Sequence, residues 1–394
     1  MTTPTDSTII SRIIYRKIED VPSSEWNSVE SNRNIYLSID YLSALESEMD
    51  NEIDFYYVIS YNSNKKPVLI SSFQLVKFTD KRKAYSKQLS KLSYHVHKKI
   101  LDAFTINVLV CGSVFADGEN GFLWSDDISS DAAINEISEV TNQLKKEKSI
   151  KDKFSMTLFK DFWPKSKSFS DRLKEFSYRD FMIDVNMVLH IHNQWLSIDD
   201  YLASMKTKFR TRAKSVYKKA KNIQIRALNK TEILANSSRI QELFENVLDK
   251  SDFSFGKLNV KVFANFSEKL GDNFVLKGAF LDGKLVGFST SFMNDGSLEA
   301  NYVGLDYQYN IDYSIYQRLL YDYVEQAIQG RAKDLQLGRT SELIKSALGA
   351  IPTNMKLYVK HKSGVSNLLL KPIIHSISPS EFELRRPFKS NFSY

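Results

Sequence analysis

Apolar and polar positions recur with clear periods along most of the chain, and those periods predict its elements. In the N-terminal half, extended β-branched residues predict a strand over 9–17, and spacings of three and four predict helices over 24–30 and 39–49. Two apolar strands over 55–60 and 68–78 flank a polar turn at 62–66. A strand over 107–111 then runs into a loop holding Gly112, Gly118 and Gly121, followed by a helix over 131–146 and a strand over 155–159.

The C-terminal half is sharper. Ser197 with Asp199 and Asp200 behind it is a near capping box, acidic where a helix start is electropositive. Leu202, Met205, Phe209, Ala213, Val216 and Ala220 then recur at three and four, predicting one amphipathic helix over 197–222. A short strand (223–227), helices over 232–248 and 261–270, and a three-stranded meander follow, the meander joined at Asp282-Gly283 and Asp295-Gly296. A helix over 312–328, a strand over 334–338, a helix over 341–348 and a strand over 355–360 close the pattern. The halves share a hairpin, strand, loop and helix order, which suggests a degenerate duplication.

Length and charge refine this picture. A chain of 394 residues exceeds what one core usually serves, so two units are expected. The net charge of +7 belongs to one element: ten basic residues and no acid lie between Tyr201 and Thr231, so the rest of the chain is acidic overall. An anionic partner for that helix is the expectation. The single cysteine, Cys111, sits in an apolar run and excludes both an intrachain disulfide and a cysteine zinc cluster. No apolar run reaches membrane-spanning length and no leader is evident at 1–17, so a cytoplasmic protein is expected.

The element order, with Tyr201-Leu202-Ala203-Ser204 through Phe209-Arg210-Thr211-Arg212, then Leu337-Gly338-Arg339-Thr340 and Ile344-Lys345-Ser346-Ala347-Leu348-Gly349-Ala350, resembles the GNAT acyltransferases. It is similar in particular to their tandem Fem-like and CelD/BioF-like members. The segment 104–121 and Lys160-Asp161-Phe162 resemble that family's first half. The resemblance implies an α+β fold of two GNAT-like units in tandem, each a mixed, mostly antiparallel sheet flanked by helices. The units are expected over 1–180 and over 181–365, with 366–394 a tail packing on the body. It also implies that the strands over 298–305 and 334–338 splay apart to admit an acyl donor. Acyl-CoA or acyl carrier protein is the implied donor, with aminoacyl-tRNA as a further option and no metal. The turn from Gly304 to Asn310 lacks the family's usual glycine-rich phosphate loop, a departure that weighs against ordinary coenzyme A binding.

On this reading Gly338 lets a ligand approach the backbone, Arg339 offers a planar cation to phosphate or carboxylate, and Thr340 caps the following helix. Lys345 enters through the resemblance alone. Arg210 and Arg212 would bind anionic substrate, and Asp306 is a further binding candidate. Amine acylation needs a base and an acid; Glu299 is the candidate base, with Tyr302 and Tyr316 as candidate acids, and Tyr313 lies near the same turn. His190 and His192 alternate as a metal pair would, but no third ligand accompanies them; His95 and His97 receive no role.

The expected function is transfer of an acyl or acetyl group to an amine of a sugar, lipid or amino-acid-derived acceptor, by direct attack. Aminoacyl-tRNA-dependent modification of a peptidoglycan precursor is the alternative on the same fold. A non-catalytic nucleic-acid-binding protein, using 206–230 for phosphate contacts, is the alternative from another class. Against it stands the apolar stripe from Leu202 to Ala220, which buries one face of that helix.

Overall fold

Strand pairing sorts the chain into two sheets. The computed structural model describes residues 8–31, 33–79, 105–148, 150, 152–250, 258–375 and 382–392. His95, His97, Phe104 and most of the segment from Lys77 to Lys99, where basic residues dominate the sequence, lie outside the described residues. The chain divides into one compact unit built from 1–183, 251–258 and 355–378, and a second built from 184–250, 259–354 and 379–394.

The first sheet uses β1 (Ile9–Tyr15), β2 (Asp54–Asn62), β3 (Pro67–Thr79), β4 (Thr105–Cys111), β5 (Phe122–Trp124), β6 (Met156–Phe162) and β7 (Arg179–Phe181). The second uses β8 (Val185–His190), β9 (Gln224–Ala227), β10 (Phe274–Leu281), β11 (Lys284–Asn294), β12 (Ser297–Leu305), β13 (Asp334–Gln336) and β14 (Ile351–Asn354). A last strand, β15 (Lys356–His361), returns to the first sheet. The sheet orders are β1-β2-β3-β4-β6-β15-β7, with β5 beside β3, and β14-β8-β13-β12-β11-β10-β9. Each sheet is antiparallel except for one parallel pair, β4 with β6 and β12 with β13.

Besides the single turn Lys167–Ser170, the helices before β8 are α1 (Ser23–Glu30), α2 (Ile39–Met49) and α3 (Ser130–Lys146) in the first unit. Those of the second are α4 (Ile198–Ser204), α5 (Thr207–Lys219), α6 (Lys230–Ala235), α7 (Ser237–Leu248), α8 (Val262–Lys269), α9 (Tyr307–Tyr313), α10 (Ile315–Gln329) and α11 (Glu342–Ala347). Helix α12 (Gly364–His375) belongs to the first unit. No helix among the described residues is long and apolar enough to cross a membrane.

Local chemistry explains most boundaries. The Ser129 hydroxyl accepts the Ala132 amide at the start of α3, and Ala133, Ile134, Ile137, Val140 and Leu144 bury one face of that helix in the first core. In the meander, Asp282 with Gly283 and Asp295 with Gly296 all have positive φ, the geometry of tight hairpin turns, and they place Leu281 opposite Lys284 and Asn294 opposite Ser297.

Four expectations are corrected. The single helix over 197–222 is two, because Met205 and Lys206 are extended where the C-terminal segment crosses: Met205 bridges Phe388, and the Lys206 amide donates to the Pro387 carbonyl at 2.7 Å. The helix over 312–328 is likewise two, broken at Ser314 with φ 51°. The helix over 232–248 becomes α6 and α7, meeting at Asn236. The strand over 355–360, placed by sequence in the C-terminal unit, pairs instead with β6 and β7 of the first sheet, while β14 before it stays with β8. The chain therefore changes sheets at Met355.

Candidate functional site

The second sheet opens where β12 and β13 part. Their parallel pairing covers only Ser297 to Glu299 against Asp334 to Gln336. Beyond it, β12 stays with β11, while the Leu337 amide donates to the Met187 carbonyl at 2.8 Å and the Met187 amide to the Gly338 carbonyl at 3.1 Å, both toward β8. The departure is reinforced by a bulge in β12 between its partners Ser289 and Ser291. Thr290 Oγ1 accepts the Tyr302 amide at 3.0 Å, and the Tyr323 hydroxyl donates to the Thr290 carbonyl at 2.9 Å, so buried groups hold the bulge in place.

The loop leaving β13 is conformationally unusual. Gly338, Thr340 and Ser341 have φ of 71°, 64° and 54°. Glycine accepts such angles freely, but a β-branched threonine does so at a cost of about 1–3 kcal/mol. The loop is clamped by Lys345, which is buried: its ammonium donates to the Gly338 carbonyl at 3.2 Å and to that of Arg339. Lys345 is thus a positioning cation and not the solvated lysine its sequence context suggests. Thr340 precedes the helix cap: Ser341 occupies that position, and its side chain makes no capping bond.

A cavity of about 170 Å³ lies between α5, α10 and α11. Arg212 and Val216 come from α5, Gln317, Leu320 and Tyr321 from α10, and Leu343, Ile344 and Ala347 from α11; Leu348 and Arg385 complete the lining. Burial pushes the Tyr321 phenol up to about 12, with the Arg212 charge pulling the other way. Along α5, Lys208, Arg210, Arg212, Lys214, Lys218 and Lys219 make no ion pair among the described residues. Tyr217, turned inward, donates to Glu325 at 2.7 Å, with Arg318 over its ring.

The other sequence candidates separate. Glu299 is buried at the last paired position before the strands part, its carboxylate accepting from Asn294 Nδ2 at 2.9 Å. Tyr316 stands in the first turn of α10; burial raises its phenol, and a hydrogen bond with Ser341 opposes that rise. It therefore adjoins the same loop as Gly338 and Thr340. Tyr302 points elsewhere, its ring 5.6 Å from those of Phe244 and Phe263. Asp306 caps α9 through the Gln308 amide and pairs with Arg239 at 2.6 Å, so its oxygens face structural donors. Tyr313 packs on Tyr309. Of the binding candidates, Arg212 alone is a lining residue of the cavity; Arg210 stands two positions earlier on the same helix.

His190 is held by Asp334, which raises its imidazole pKa, and His192 lies against Phe392, so the two do not act as a pair. In the first unit, the loop of Gly112, Gly118 and Gly121 is filled by its own Asn120. That side chain accepts the Ser113 amide at 2.8 Å and donates to Ala116 and Asp117 carbonyls, leaving no phosphate cradle. Cys111 is buried, which pushes its thiol up. Among the described residues no group of three or more His, Cys, Asp or Glu side chains is placed to hold a metal.

Sequence reasoning missed Gln317, Tyr321 and Arg385. Only the Arg385-Arg386 pair near the C-terminus carried a readable signal, a concentration of charge outside the basic helix.

No protein-family profile matches the sequence, and no curated protein matches it. Solved structures do. FemX aligns over 89% of this chain and 97% of its own at 10% identity, with a TM-score of 0.55. The structure of L-PGS from Bacillus licheniformis aligns over 84% and 96% at 12% identity with a TM-score of 0.46. A tandem GNAT protein from the clavulanic acid biosynthesis pathway aligns over 90% and 99% at 8% identity, also at 0.46. The chain shares the fold of FemX, an α+β arrangement of two mixed, mostly antiparallel sheets flanked by helices.

Proposed function

We propose that the chain is an N-acyltransferase that carries an acyl or aminoacyl group from an anionic donor to an amine. The observation that carries the reading is the parting of β12 and β13 beside the strained loop from Gly338 to Ser341. Strands that part open a gap in the sheet that an extended, amide-bearing donor arm can enter. The Fem-like fold supports the same reading by analogy.

In this reading Glu299, at the point of parting, takes a proton from the attacking amine, and Tyr316, kept protonated by burial, gives one to the leaving group. Arg339 and the loop clamped by Lys345 orient the donor. Tyr302 and Asp306, engaged in packing and capping, support the bulge and α9 and do no chemistry. Arg210, Arg212 and the lysines of α5 draw the donor's negative charge. That exposed cationic face favours a polyanionic donor, acyl carrier protein or aminoacyl-tRNA, over coenzyme A. The acceptor is an amine on a sugar, lipid or amino-acid-derived molecule.

The test supplies labelled acetyl-CoA, acyl-loaded carrier protein and charged tRNA in turn, each with a mixture of amine acceptors, and follows label into amide. Transfer from at least one donor is expected, with Arg339→Ala and Glu299→Gln reducing it at least tenfold while the melting temperature holds. No transfer from any donor sinks the proposal.

A further inference from the structure

Two arginines far apart in sequence line the cavity, Arg212 on α5 and Arg385 on the segment 382–392. That segment is fastened across the break between α4 and α5. The Lys389 amide donates to the Ser204 carbonyl at 3.0 Å, and Lys389 Nζ to that of Ala203 at 2.8 Å. The Phe388 ring, 5% exposed, lies 5.2 Å from Trp195 and 5.8 Å from Tyr201. Gly349 makes room for it, since a Cβ there would come within 2.1 Å of Phe388 Cε2. The segment is a strap, and Arg385 is the side chain it delivers to the cavity.

The cavity's chemistry is uneven. Beside Arg212 and Arg385 it is lined by the polar Gln317 and Tyr321 and by the apolar Val216, Leu320, Leu343, Ile344, Ala347 and Leu348, with no carboxylate among the described lining residues. Arg385 is only loosely matched: its Nη2 lies 3.5 Å from Glu383, and its buried Nε has no acceptor among the described residues. Two guanidinium forks suit the oxygens of a phosphate, and the aliphatic walls suit methylenes. A volume of about 170 Å³ has room for a phosphate with a short alkyl chain.

We infer that the strap completes a binding site for an alkyl phosphate, with Arg385 and Arg212 clamping the phosphate and the cavity wall taking the first few carbons. This rests on the reading of the second unit as substrate-binding. It is tested by binding alone, so that absence of acyl transfer and failure of this site read out separately. Arg385 is a specificity residue supplied by the strap over 382–392.

Titration calorimetry with the full chain compares inorganic phosphate, ethyl, butyl and octyl phosphate, and butanol. Affinity should rise about fourfold per carbon up to roughly butyl and then level, since each buried methylene adds a constant increment until the cavity is full. Arg385→Ala should weaken butyl phosphate at least tenfold at unchanged melting temperature, Arg385→Lys should recover part of the loss, and Arg212→Ala should weaken it comparably. Dihexanoyl phosphatidate beside butyl phosphate distinguishes the sources: tighter binding of the former assigns a lipid headgroup, tighter binding of the latter a soluble ester, and binding of neither overturns the site. Equal affinity for inorganic and butyl phosphate, equal affinity for butanol and butyl phosphate, or full affinity in Arg385→Ala overturns it as well.

Discussion

Lys345→Met removes one charge from the second unit and nearly conserves volume, and its consequences follow from the loop the lysine holds. Lys345 is 4% exposed and its ammonium donates to two carbonyls, those of Gly338 and Arg339. Hydrogen bonds from a charged donor contribute about 1.5–3 kcal/mol each, so the pair contributes roughly 3–6 kcal/mol before the cost of burying the ammonium is set against it. That cost is several kcal/mol, and the net loss in the variant should fall near 1–3 kcal/mol. The loop itself opposes the clamp: Thr340 and Ser341, at φ 64° and 54°, each store about 1–3 kcal/mol. Without the ammonium they should relax.

Urea denaturation reads the global change, and hydrogen exchange at 338–344 reads the local one. Lys345→Met should lower stability by about 1–3 kcal/mol, speed exchange in the loop and reduce acyl transfer. Thr340→Gly in the same background should restore part of both, because glycine holds that φ without strain. A variant with stability within about 0.5 kcal/mol of the parent and unchanged exchange, or a glycine that rescues nothing, would refute the clamp.

Two further predictions concern the same unit. Phe388→Ala should cost about 3–5 kcal/mol if the strap unfolds only with the core, and should expose 382–392 to protease; a change under about 1 kcal/mol with no new cleavage would show that the ring does not fasten the strap. For His190, the hydrogen bond to Asp334 raises the folded-state pKa above the unfolded value near 6.5. Its stabilisation is therefore complete below about pH 6.5 and lost as pH rises through the higher folded pKa. With both side chains partly solvated the effect should be at most about 1 kcal/mol, and it should vanish in Asp334→Asn; melting curves from pH 5 to 9 that coincide for parent and variant would contradict it.

The sequence by itself determined what depends on short-range chemistry. The Asp-Gly turns set the meander because two successive residues of positive φ are cheap there and nowhere nearby. The stripe from Leu202 to Ala220 identified the buried face of the basic segment, and the resemblance carried by the segments around Gly338 implied two sheets in tandem, which the structure has. Glu299, Tyr316, Arg212 and the loop from Gly338 were legible as candidates because strand position, helix start and charge are local properties.

What tertiary structure decided depends on partners distant in sequence. Met205 and Lys206 have no local reason to leave a helix; they do so because Phe388 and the Pro387 carbonyl arrive from the C-terminus. The strand after Met355 matches either sheet by its alternation, and pairing with β6 and β7 places it in the first. Lys345 reads as a surface lysine until the Gly338 and Arg339 carbonyls turn toward it. Arg385 has no meaning apart from the strap that brings it to the cavity that Arg212 also lines. Periodicity reports which face of an element is buried, but not what it is buried against, and the cavity's second cation lies in that missing half.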